Sequence, residues 1–351
     1  MKILHLIAST GVGGAEKHLL DLTLQQQEFG MDVCVALPEE GALSQALQAH
    51  NIKYVLIRKG SRFNLLALWS LRQAIHQVQP DIVHAHMLKS ATMVSYASRS
   101  VPCVATAHNI VKHLKPFRKC HHVICVSDMV FDSLSQLGYP QAKMTVVHNA
   151  VDTHVFNTER HEEVRRQLDW QNRLIVLIVA RLVPAKGQVY ALDALAQLVL
   201  RFPNIQLVLV GEGTDRDKLQ QQAHKLGLEK HLSMLGSRRD VVDLLAATDI
   251  YLQPSIKEGF CIAFLEAMAT GIACIGTQTG AIPTMLESGV NGILIPPGDV
   301  SAIANAVSTI ATNPELRTRY AQAAKLTAQT KFSPQKQALE TINVYNKELN
   351  H

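Results

Sequence analysis

The chain has 351 residues, longer than a single hydrophobic core usually grows, so two domains are expected. Hydrophobic residues make up 47% and charged residues 18%, which excludes an intrinsically disordered chain, and the 5% of aromatics does not suggest a nucleic-acid stacking platform. The net charge of +5 suits an anionic small ligand or an acidic lipid surface and is too small to argue for DNA binding.

The first apolar run, Ile3–Ala8, is too short for the hydrophobic segment of a signal peptide and reads as a strand. It leads into Gly11-Val12-Gly13-Gly14-Ala15-Glu16, where glycines permit close backbone approach and a following helix offers free N–H groups. Glu16 stands where a dinucleotide fingerprint needs its last glycine, so the segment reads as a ligand-facing loop rather than a dinucleotide site. Further strands are expected at Asp32–Ala36, Lys53–Leu56, Ile82–Ala85, Cys103–Thr106, His122–Val126 and Thr145–His148. Helical periodicity occupies Glu16–Phe29, Gly41–His50 and Leu65–Val78, the last read as a core helix.

Within this half, His84-Ala85-His86 sets two imidazoles on one strand face; with no carboxylate or thiol beside them they read as structural rather than metal-binding. The run Lys112–Lys119 is basic and partly apolar, either a solvated surface or a contact for anionic lipid or a phosphate-bearing acceptor. Most of the six cysteines lie in apolar runs and read as reduced core thiols of a cytosolic protein, Cys261 being the exception.

After the polar stretch Asn157–Arg173 a second series begins. Its strands are Leu174–Val179, Ile205–Val210, Leu232–Leu235, Ile250–Gln253, Ala273–Gly276 and Gly292–Ile295. Helices fit at Gln188–Phe202, Asp215–Leu226, Arg239–Ala247, Ala263–Thr270, Ile282–Ser288 and Val300–Thr312, then through Pro314–Leu349 with a break at Ser333-Pro334. Strands alternating with helices throughout predict two doubly wound α/β halves with parallel sheets, whose ligand loops face a central cleft. The boundaries drawn are 1–155 and 156–334. No apolar run approaches the roughly 20 residues that span a bilayer.

Arg181 and Lys186 follow an apolar strand and precede a helix, an arrangement suited to a diphosphate, although such cations read alone are commonly solvated. Lys257-Glu258-Gly259-Phe260-Cys261-Ile262 leads into an apolar helix that carries Glu266, a carboxylate needing either a ligand hydroxyl or an internal ion pair. Asp215-Arg216-Asp217 is formally D-x-D but reads as an acidic helix start.

The ordered set of these motifs, with Thr106-Ala107-His108, Val126-Ser127, His148-Asn149-Ala150-Val151-Asp152, Gly211-Glu212-Gly213 and Pro296-Pro297-Gly298-Asp299, resembles glycosyltransferase family 4 over nearly the whole chain. The resemblance implies a GT-B fold of two Rossmann-like domains, with the last helix (about 335–351) returning to the N-terminal, acceptor-side one. It implies transfer with retention from a UDP- or GDP-sugar to a carbohydrate or glycolipid acceptor in lipopolysaccharide or surface-polysaccharide assembly. No metal or other cofactor and no nucleic acid is expected, and the setting would be the cytoplasm, in peripheral contact with anionic membrane.

Residue by residue, the resemblance gives Arg181 and Lys186 to the donor diphosphate and Glu266 to the ribose. Glu258, with backbone N–H groups around Phe260, Cys261 and Ile262, would hold the transferred sugar. His108 would lie over that sugar, and Gly13 and Gly14 would approach the phosphate. Cys261, Ala150 and Ala180 stand where the family often has glycine, and Thr284 where glutamate is common; of these, Cys261 bears on the shape of the sugar pocket. A nucleotide-sugar epimerase or hydrolase, or a binding protein without turnover, is the alternative reading.

Overall fold

The computed structural model describes residues 1–9, 13–98, 100–156 and 161–350. The chain forms two compact units, Met1–Ala150 with Pro334–His351, and Val151–Ser333.

The first unit runs β1 (Lys2–Ile7), α1 (Gly14–Glu28), β2 (Asp32–Leu37), α2 (Ala42–Ala49), β3 (Lys53–Leu56), α3 (Leu65–Val78), β4 (Ile82–His86), α4 (Met87–Ala97), β5 (Cys103–Ala107), β6 (His122–Cys125), α5 (Asp128–Gln136) and β7 (Met144–Val146). Its strands form one parallel sheet in the order β3-β2-β1-β4-β5-β6-β7. The strand order reverses between β1 and β4, the switch point where open α/β sheets bind ligands.

The second unit runs α6 (His161–Gln167), β8 (Leu174–Val179), α7 (Gln188–Leu198), β9 (Ile205–Val210), α8 (Arg216–Lys225), β10 (Leu232–Gly236), α9 (Val241–Ala246), β11 (Ile250–Gln253), α10 (Ile262–Thr270), β12 (Ala273–Thr277), α11 (Ile282–Met285), β13 (Ile293–Ile295), α12 (Val300–Thr312) and α13 (Pro314–Lys331). Its parallel sheet has the order β10-β9-β8-β11-β12-β13, with the switch point between β8 and β11. Leu174–Val179 is an unbroken apolar run, and Ile205–Val210 is interrupted only by Gln206, because helices cover both faces. Their side chains join Leu192, Leu195, Ile303 and Val307 in the core.

Pro334 has no N–H to continue α13, so the chain breaks there and α14 (Pro334–Leu349) starts anew. α14 packs on the first unit, where Ile342, Val344 and Tyr345 share a core with Ile3, Ile82, Val104 and Ile124. Gln337 Nε2 donates to the His148 carbonyl at 2.9 Å, and His122 Nδ1 meets Glu348 at 3.0 Å.

One sequence expectation needs correction. α3 is not a core helix all round: Ala67, Leu68, Leu71 and Ala74 make one buried stripe, while Leu65, Leu66 and Trp69 are 80%, 58% and 55% exposed. The buried positions recur at helical spacing, which leaves the other apolar side chains on the outer face. α4, α5 and α6 are additional to the helices named from the sequence. α4 follows β4 without a connecting loop and is buried over most of its surface, and α6 lies inside the polar stretch.

Candidate functional site

In the second unit the site grows from two neighbouring strand ends. After β8 the loop 180–187 passes under two glycines. A Cβ on Gly211 would sit 2.1 Å from the Ala180 carbonyl oxygen, and one on Gly213 2.1 Å from that of Leu182. Leu182 N–H donates to Glu212 O, and Asp215 N–H to Leu182 O, both at 3.0 Å. Pro184–Lys186 makes one 3-10 turn, and Gly187, at φ +70°, opens α7.

The loop after β11 is tied to this one, because Ile256 and Lys257 both donate backbone N–H groups to the Ala185 carbonyl, at 2.8 and 3.1 Å. This tie brings two residues 72 positions apart into contact: Lys186 Nζ donates to Glu258 Oε2 at 2.6 Å. The two side chains are 16% and 7% exposed. Glu258 also accepts from the Ser255 hydroxyl at 3.1 Å and from the Gly259 N–H at 3.2 Å.

Cys261 caps α10 at φ +64°, the left-handed region where glycine is at ease, and burial pushes its thiol well above the usual range. Phe260 is buried against Phe332, with ring centres 6.0 Å apart. Among the described residues no acceptor meets the N–H groups of Cys261 and Ile262, the free donors of a helix start. Glu266 lies in the second turn of α10, half-buried, and Arg181 is exposed on the loop after β8. A cation, a helix start and a fixed carboxylate at the carboxyl ends of β8 and β11 make a receptor for an anion bearing hydroxyl groups.

The first unit holds the remaining expected residues. Gly13 caps α1, and its N–H donates to Glu16 Oε2 at 3.1 Å; Gly14 is the first helical residue. Gly11 and Val12 lie outside the described residues. His108 follows β5 and lines a cavity of about 300 Å³ with Ala8, Met87, Leu88 and Phe117. The cavity sits at the switch-point ends of β1, β4 and β5, and Met87 adopts φ +72°, a strained value for a side chain of its size. Sequence reading did not find Met87, which carries no motif, and met Phe117 only as part of the basic run Lys112–Lys119.

Beside this cavity His5, His18, His84, His86 and His108 stack, with neighbouring ring centres 4.3 to 5.8 Å apart. Burial pushes His5 and His18 down to about 4, and His84, His86 and His108 well below the ordinary imidazole range. The rings are therefore neutral. Asp215, of the D-x-D sequence, is the N-cap residue of α8. No helix among the described residues is long and apolar enough to cross a membrane.

Comparison with known proteins adds independent information. The model for "Glycosyltransferase Family 4" matches residues 12–155, and that for "Glycosyl transferases group 1" matches residues 160–327. The chain is 26% identical to N-acetyl-alpha-D-glucosaminyl L-malate synthase of Bacillus anthracis over 224 residues, 64% of this chain and 58% of that protein. It is 24% identical to the lipopolysaccharide core biosynthesis glycosyltransferase LpsE of Rhizobium meliloti, over 92% of each chain. Among solved structures, Anabaena Alr3699/HepE in complex with UDP and glucose superposes with a TM-score of 0.89 at 27% identity, over 99% of each chain.

Proposed function

The chain belongs to family 4 of the GT-B glycosyltransferases, and on that premise we propose that it transfers a hexose from a UDP-sugar to a hydroxyl of a carbohydrate or glycolipid acceptor, with retention of anomeric configuration. The observation that carries this reading is the Lys186–Glu258 contact at the ends of β8 and β11. It puts a cation for the diphosphate directly beside a carboxylate for the sugar. The complex of HepE with UDP and glucose supports the choice of nucleobase and sugar class.

In the proposed reaction the bond between the anomeric carbon and the phosphate oxygen breaks, and its electron pair stays on the departing diphosphate. Lys186, Arg181 and the positive ends of α7 and α10 stabilise that charge. The acceptor oxygen attacks the same face of the sugar, and its proton passes to the leaving phosphate. Glu258 and the N–H groups of Phe260, Cys261 and Ile262 hold the sugar, Glu266 the ribose, His108 the sugar from the N-terminal unit, and Gly13 and Gly14 the phosphate. The chemistry requires no metal.

The acceptor side is read as working against an anionic membrane at the cytoplasmic face, in lipopolysaccharide or surface-polysaccharide assembly, a context that the likeness to LpsE supports. Exposed Leu65, Leu66 and Trp69 support it too, together with a chain of contacts from Arg62 over the Phe63 ring, through Tyr96, to Lys119. Apolar side chains ringed by cations suit an acidic lipid surface.

Thermal melting against a panel of nucleotide sugars tests the donor. UDP-hexoses at 100 times Kd are expected to add about 2.7 kcal/mol of stability. A melting temperature unmoved by every nucleotide sugar contradicts the proposal, and donor breakdown that no acceptor accelerates favours a hydrolase instead.

A further inference from the structure

We propose that His18, His86 and His108 form a binding site for one divalent transition-metal cation of the imidazole-preferring kind, such as Zn2+. One ring nitrogen from each of the three lies within 4.8 Å of the other two. Each of these rings has one buried nitrogen without a hydrogen-bond partner among the described residues: His18 Nε2, His86 Nδ1 and His108 Nε2. Three buried nitrogens left unpaired on neighbouring rings are rare in a folded protein and call for an occupant.

The surrounding hydrogen bonds decide what these atoms offer. Gln26 Oε1 accepts from His5 Nε2 at 2.8 Å, and Gln26 Nε2 donates to the Tyr345 hydroxyl at 3.2 Å. His5 Nδ1 is then the bare nitrogen of a neutral ring and accepts from His86 Nε2 at 2.9 Å. That leaves His86 Nδ1 with a lone pair. His18 reaches the same state by another route: the 2.7 Å bond of its Nδ1 to Asn149 Oδ1 outweighs the 3.3 Å approach of Gln337 Nε2, which donates to the His148 carbonyl instead, so Nδ1 carries the proton and Nε2 is bare. Two of the three ligand rings, His86 and His18, are thus fixed in their tautomers by outer partners, the arrangement that metal-binding imidazoles use.

The neighbouring group His5, His84 and His86 does not compete. Both nitrogens of His5 and both of His84 are engaged, the latter by Tyr345 at 2.5 Å and Thr106 at 2.7 Å. A sugar hydroxyl is a weaker occupant for the triad than a cation, because its single proton satisfies one lone pair and leaves the others bare. A tetrahedral Zn2+ with nitrogen ligands near 2.1 Å needs nitrogens roughly 3.4 Å apart, so binding would draw together any pair that now stands as much as 4.8 Å apart. His18 and His86 are 5% and 0% exposed, and His108 borders the cavity, so a fourth position stays reachable from that side. Imidazole ligands favour zinc, copper, nickel and cobalt over magnesium or calcium.

The site departs from the sequence expectation of no metal. That expectation weighed Asp215-Arg216-Asp217, His84 with His86, and His121-His122, each local in sequence, whereas the triad draws on α1, β4 and the segment after β5. Bound metal would occupy the His108 nitrogen proposed to meet the sugar, so the cation acts as an inhibitor; this consequence alone rests on the transferase reading.

Calorimetric titration of the full-length chain with Zn2+ tests the site. Uptake of one ion per chain is expected. His18→Ala and Asn149→Ala should each weaken it by about 10–100-fold, as loss of a ligand or of its outer partner does. His224→Ala, an exposed imidazole of the second unit, should leave it unchanged. Thermal melts of the metal-free variants establish that they fold; should His18→Ala not fold, Asn149→Ala decides. Absence of saturable uptake by the parent chain overturns the proposal, as does uptake that the folded variants retain at full affinity. If Zn2+ binds but leaves transfer unimpaired, the site stands and the His108 role in transfer falls.

Discussion

Glu258 accepts hydrogen bonds from Lys186, Ser255 and the Gly259 N–H, and it is nearly buried. Removing the cation alone from such a pair typically costs about 3–5 kcal/mol, because a buried carboxylate is left uncompensated. Any test of Lys186 therefore needs a partner change that restores charge balance. Three residues on, Cys261 occupies a left-handed backbone at φ +64°. A β-branched side chain fits that region poorly, so Cys261→Val should lower stability by about 1–2 kcal/mol. Cys261→Gly should stay within about 1 kcal/mol of the parent, since relief of strain offsets the freer unfolded chain. Urea unfolding of the two variants checks the ordering; equal stability would mean that the turn relaxes to accept any side chain.

At the scale of elements, glycines let the loop after β8 lie against the strand end after β9. A Cβ at Gly213 would stand 2.1 Å from the backbone oxygen of Leu182, which cannot swing aside as a side chain can. Gly213→Ala should then cost about 1–3 kcal/mol as an overpacked contact and weaken nucleotide binding by displacing Lys186. A variant with parental melting temperature and nucleotide affinity would show that the loop shifts freely. The strands of both sheets were legible because parallel strands covered on both faces read as continuous apolar runs. α4 was hidden for the same reason, as a mostly buried helix shows no polar face to mark its period. α3 was read as core because apolar composition does not say which face is covered. Lys186 and Glu258 were legible singly, but their contact was not, because 72 residues and two strand ends separate them. The imidazole triad was illegible for a like reason, being assembled from residues 18, 86 and 108.

At the scale of the whole molecule, the chain's last helix completes the first unit rather than the second. Tyr345 is the pin: its hydroxyl accepts from Gln26 and bonds His84 Nδ1 inside a fully buried network. Tyr345→Phe leaves both partners short of a bond and should destabilise by about 1–3 kcal/mol, read by urea unfolding. A loss below a few tenths would mean that α14 is held by its apolar contacts alone. The central claim is that the second unit grips a nucleotide diphosphate through Lys186 beside Glu258. The most direct measurement is calorimetric titration of UDP into the full-length parent and into the double variant Lys186→Met with Glu258→Gln, which has no unpaired buried charge. The account predicts that the folded double variant loses an order of magnitude or more in UDP affinity; an affinity equal to the parent's would contradict it.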